Sequence, residues 1–91
     1  MSKHTPGPWF INGHERYTKY VEARIGGGWV QEVAACGPTE NPEQQEANAR
    51  LIAAAPELLE ALQSCIQQIT ALCSADDVPD QARAAIAKAT A

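Results

Sequence analysis

The sequence is poor in the groups that most chemistry needs. Its 91 residues hold two histidines, three cysteines and five aromatic side chains. His4 and His14 have no Cys, His or Asp at ligand spacing, so no metal site is expected. A pairing of Cys36 with a histidine has no local support, and no residue is assigned a catalytic role. Gly26-Gly27-Gly28 lacks the Lys-Ser/Thr and the helix that follow a phosphate loop, and reads as a hairpin turn. The protein is therefore expected to bind rather than to catalyse, and no cofactor is called for. Cys36, Cys65 and Cys73 are an odd set matching no disulfide framework. Cys65 and Cys73 stand two helical turns apart, too far to bridge in one straight helix, and are read as small buried hydrophobes. No apolar run approaches a membrane span. The start, MSKHTPGPW, has no apolar signal region, so a reducing cytosol is the expected compartment.

Basic charge is scarce in one half. Residues 1–41 balance Lys3, Arg16, Lys19 and Arg24 against Glu15, Glu22, Glu32 and Glu40. The remainder sets Arg50, Arg83 and Lys88 against seven acidic residues, which accounts for the net charge of −4. Nonspecific duplex binding needs clustered Lys and Arg and is not expected; an acidic helical surface suits a basic protein partner.

What is present is clear patterning in a chain that makes one domain at most, a β-rich half over 1–38 and a helical half over 41–91. Pro6 and Pro8 disfavour helix in the lead-in. Trp9-Phe10-Ile11 is a short strand candidate, and Asn12-Gly13 is a hairpin signal. From Arg16 to Ile25, residues alternate with period two, which places Tyr17 and Tyr20 on opposite faces of a second strand. Trp29 to Ala35 is a third, and Gly37-Pro38 ends the sheet. Asn41, Pro42 and Gln44 then mark a helix start. Leu51, Ala55, Leu58, Leu62, Cys65, Ile69 and Leu72 recur in alternating steps of four and three, the spacing of one helix face. Pro56 interrupts that run and predicts two helical segments, bent but in phase. Asp76 to Pro79 is a break, and a last helix runs from Pro79 to Thr90. The expected fold is α+β: a three-stranded antiparallel meander packed on two or three helices. Leu58, Leu59, Leu62, Ile66 and Ile69 exceed what so small a sheet can cover, so they are the expected interface of a homo-oligomer.

Arg50 can pair with Glu46 one turn earlier, or point at an anion. Trp9 reads as core, whereas Trp29 reads equally as core or as a stacking platform.

Two segments together, HTPGPW at His4–Trp9 and ANARLIAAAPELLEAL at Ala47–Leu62, resemble small proteins of tailed phages and prophages. ARAAIAKAT at Ala82–Thr90 is similar to their usual ending, and Asn12–Glu40 is the part in which the family varies. The resemblance implies a virus-encoded accessory protein of the bacterial cytosol, not an enzyme. Such a protein would antagonise a host antiviral defence by gripping a defence protein or by sequestering a nucleotide signal; the alternative is an adaptor within the phage programme. His4, Trp9, Arg24, Trp29, Asn48 and Arg50 are the expected binding residues, because they supply the aromatic, basic and amide groups that either ligand would need.

Overall fold

The structure is a computed structural model and describes residues 4–13 and 17–90. It is α+β: strands β1 (Trp9–Asn12), β2 (Lys19–Ile25) and β3 (Trp29–Cys36), then helices α1 (Pro42–Ala53), α2 (Ala55–Leu72) and α3 (Asp80–Thr90), with a 3-10 turn at Ala75–Asp77. The chain divides into two compact units, Thr5–Pro56 and Glu57–Ala91, with His4 grouped in the second.

In the first unit the strands form an antiparallel sheet of order β1-β2-β3. Ile25 pairs with Trp29 around the glycine turn. Gly27 and Gly28 there have φ of 77° and 80°, a region that residues with a Cβ enter at a cost, so the triple glycine is the hairpin the sequence indicated. The first connection differs from the hairpin turn expected at Asn12-Gly13, because Asn12 is itself the last residue of β1. Asn12 pairs with Tyr20, so residues 13–19 lie between the paired ends, and His14, Glu15 and Arg16 fall outside the described residues. Among the described residues β2 opens at Lys19, and the start expected at Arg16 lies outside them. Tyr17 precedes β2 and is exposed, so it shares no strand with Tyr20. The pairing of β2 with β3 shifts between Val21 and Glu22, where β3 holds one extra residue, Val33.

Period two divides the sheet into two faces. Val21 and Ala23 are fully buried, and their cross-strand partners Ile11, Trp9 and Ala34 share their face. Helix α1 packs on the sheet and contributes Ala49, also fully buried. The core is thus built of small residues, Ala23 and Ala49 with Val21 and Cys36. Trp9 stands at its margin, half-buried, its Nε1 donating to the Thr5 carbonyl at 3.1 Å.

The N-terminus of α1 forms as its residues dictate: Pro42 opens the helix, and the Asn41 side chain accepts from the Glu43 N–H at 2.9 Å. Pro56 separates two helices rather than kinking one. Having no N–H, it cannot continue the ladder, and the Ala54 N–H donates back to the Arg50 carbonyl at 3.0 Å. Of the apolar stripe expected to run through this point, Leu51 and Leu58 on either side of it are exposed rather than covered. The side of α1 with least exposure carries Gln45, Ala49, Ile52 and Ala53, whereas Leu51 is 65% exposed. An inner sheet face lined by Val21 and Ala23 accepts an alanine at close range, and that contact sets the rotation of α1.

In the second unit α2 has no buried residue. Leu59, Leu62, Ile66 and Ile69 are half-buried, while Leu58 and Leu72 are largely exposed. Cys65 and Cys73 are exposed, against the expectation of burial. Ser74 caps the short turn after α2, its Oγ accepting from the Asp76 N–H at 3.1 Å. Val78, which follows, is buried.

Candidate binding site

The six residues singled out in the sequence do not converge on one pocket within the first unit. Trp9 belongs to the face that α1 covers. Asn48 and Arg50 are exposed on α1, and Arg50 forms the pair anticipated for it, 3.4 Å from Glu46. Lys19 reaches the other oxygen of the same carboxylate at 3.4 Å. Glu46 thus holds two cations, one from the sheet and one from the helix. His4 lies in the other compact unit.

Arg24 and Trp29 do come together. With Ile25, Gly28 and Val30 they line an open concavity of about 340 Å³ at the glycine end of the β2–β3 hairpin. Trp29 is 72% exposed, so it is a surface side chain and not core. A Cβ at Gly27 would stand 3.3 Å from Trp29 Cδ1, so the bare glycine is what lets the indole lie along the turn.

A second concavity, of about 370 Å³, adjoins it on the sheet face opposite α1, lined by Phe10, Ile11, Asn12, Glu22, Arg24 and Val30. The Arg24 guanidinium sits over the Phe10 ring, 4.9 Å from its centroid. Such a contact contributes roughly 0.5–1 kcal/mol at an exposed site and holds the charge flat against the sheet. Asn12 Nδ2 donates to Glu22 Oε1 at 3.0 Å. Glu32 is the direct cross-strand partner of Glu22 and therefore shares this face. Phe10, Asn12, Glu22, Val30 and Glu32 were not singled out in the sequence. Their signal was the alternation itself: Phe10 and Asn12 share a phase in β1, as do Glu22 and Arg24 in β2.

Among the described residues no group of three or more His, Cys, Asp or Glu is placed to hold a metal ion. Among them, too, no helix is long and apolar enough to cross a membrane.

These features define a small α+β protein with one helix on a three-stranded sheet, an open opposite sheet face and a second helical unit. Over residues 1–91 the sequence matches the family of the Salmonella phage P22 protein Y8K6, and the chain belongs to that family. It is thus a small phage protein, in keeping with the resemblance carried by HTPGPW and ANARLIAAAPELLEAL. No curated protein and no solved structure matches it.

Proposed function

We propose that this phage protein is a non-catalytic binding protein that acts as a homo-oligomer in the cytosol of the infected bacterium and antagonises an antiviral defence system by gripping one of its proteins. The observation that carries the binding role is α2. Its 18 residues include Leu58, Leu59, Leu62, Ile66, Ile69 and Leu72, yet none is buried. A helix of that length spans about 27 Å. Exposed apolar area costs roughly 25 cal/mol per Å², so a continuous stripe of this kind favours association. The Leu59-Leu62-Ile66-Ile69 positions recur at steps of three and four, the seam along which two helices pack. Antagonism of a defence is supported by the phage family together with an acidic helical half suited to a basic partner. Gripping a protein is favoured over sequestering a nucleotide because the expected aromatic, basic and amide residues are spread over separate faces.

The test is plaque formation on bacteria carrying individual defence systems, with and without this protein. Rescue is expected for one system, and it should be lost in Leu62→Glu/Ile66→Glu. No rescue across a broad panel favours an adaptor role within the phage programme. A thermal shift with cyclic nucleotides that Arg24→Ala abolishes would replace protein gripping by signal sequestration.

A further inference from the structure

We propose that the open face of the sheet docks an extended segment of the partner protein in which an arginine stands two residues from an apolar side chain. This rests on the reading of the protein as a binding protein and names the partner's chemistry.

The first argument is charge. Glu22 and Glu32 are directly opposed across β2 and β3, a placement that puts their Cβ atoms about 4.5–5.5 Å apart and is unfavourable for like charges. Among the described residues neither has an ion-pair partner. Arg24, on the same face, is turned onto Phe10, and Lys19 and Arg50 are both engaged by Glu46. Asn12 supplies Glu22 with one neutral hydrogen bond. A single guanidinium from outside can reach both carboxylates, because its planar fork presents several N–H donors at fixed spacing. A phosphate or a nucleic-acid backbone would meet the same two carboxylates as repulsion.

The second argument is shape and spacing. The 370 Å³ concavity beside Glu22 is walled by Phe10, Arg24 and Val30, and Phe10 and Val30 are 41% and 55% exposed. Val30 lies two positions before Glu32 on β3, a distance of about 6.7 Å in a strand. An extended segment repeats its side chains at the same interval. An arginine over Glu22 and Glu32, with Phe10 beside Glu22 in the same row, therefore sets the side chain two residues away over Val30, where apolar contact is available.

The probe is the blocked peptide Gly-Ser-Arg-Thr-Leu-Ser-Gly, titrated into the labelled full-length protein and followed by amide chemical shifts. Shifts are expected at Phe10, Glu22, Arg24, Val30 and Glu32, and none with Glu in place of the peptide's Arg. Glu22→Gln/Glu32→Gln should weaken binding roughly tenfold, the scale of a hydrogen bond to a charged group. Glu43→Gln/Glu57→Gln makes the same change in net charge elsewhere and should leave binding unchanged. The proposal is overturned by shifts confined to the helices, by equal weakening in both double variants, or by no binding at millimolar peptide. Defence rescue that survives Glu22→Gln/Glu32→Gln would overturn this docking face while leaving the binding function standing.

Discussion

Gly7 lies so close to Pro56 that a Cβ added to it would stand 2.8 Å from Pro56 Cβ and 3.2 Å from Pro56 Cγ. The two residues belong to the two sequence segments that carried the phage resemblance, and the fold puts those segments in contact. Gly7 is not at positive φ, so what it supplies is the absence of a side chain rather than an unusual backbone. Pro56 in turn offers a rigid ring that cannot swing aside.

Gly7→Ala should therefore destabilise the first unit by about 1–3 kcal/mol, the range for inserting a methyl group into a packed contact. Each kcal/mol corresponds to a fall of about 4–8 °C in Tm for a domain of this size. In a Pro56→Gly background the ring is gone, and the cost of Gly7→Ala should shrink to below about 0.5 kcal/mol, as coupling in a double-mutant cycle requires. Urea melts of the four proteins measure this. Equal costs in both backgrounds would mean that the two residues are not coupled.

Gln45 ties α1 to the end of β3 and to the segment just before β2. Its Nε2 donates to the Tyr17 and Cys36 carbonyls, each at 2.9 Å, using both amide hydrogens. Gln45→Ala should cost about 1–3 kcal/mol, since two carbonyls lose their donor. Gln45→Glu should cost at least as much at neutral pH, because a carboxylate has no proton to give and faces two carbonyl oxygens. Arg50→Ala, by contrast, breaks a pair whose arginine is 72% exposed and should change stability by less than about 0.5 kcal/mol. Chemical denaturation of the three variants ranks them; an Arg50→Ala effect as large as that of Gln45→Ala would contradict the assignment.

The thiols differ in access. Cys36 is buried at the end of β3, whereas Cys65 and Cys73 are exposed on and just after α2. In dilute native protein a thiol-specific colour reagent should react quickly with two cysteines and with the third only on unfolding. Cys36→Ser should remove the slow fraction alone. At higher concentration Cys65, which lies between Leu62 and Ile69 in α2, should be protected as copies associate. Three fast thiols would place Cys36 at the surface.

The strands and helix ends were legible because their signals are local. A triple glycine, an Asn-Pro helix start and a mid-run proline each act through a few backbone atoms, and each marks a boundary in the structure. The fold class followed from them. What was not legible depends on partners distant in sequence. Leu51 kept the spacing of the downstream stripe, but the packing of α1 on the sheet turns Ala49 inward and leaves Leu51 exposed. The burial expected for Cys65 and Cys73 assumed a layer over α2, and they are exposed. Of the expected binding residues, Arg24 and Trp29 share a concavity because they flank the same glycine turn. The Glu22–Glu32 opposition needed the bulge at Val33, which shifts the register of β3 and leaves no mark in the alternation.

The central claim is association through α2, and solution mass tests it most directly. Light scattering on the full chain at high micromolar concentration should give a multiple of the single-chain mass, and Leu62→Glu/Ile66→Glu should return it to one chain with the helix content retained. A wild-type protein that stays a strict monomer at that concentration would contradict the account.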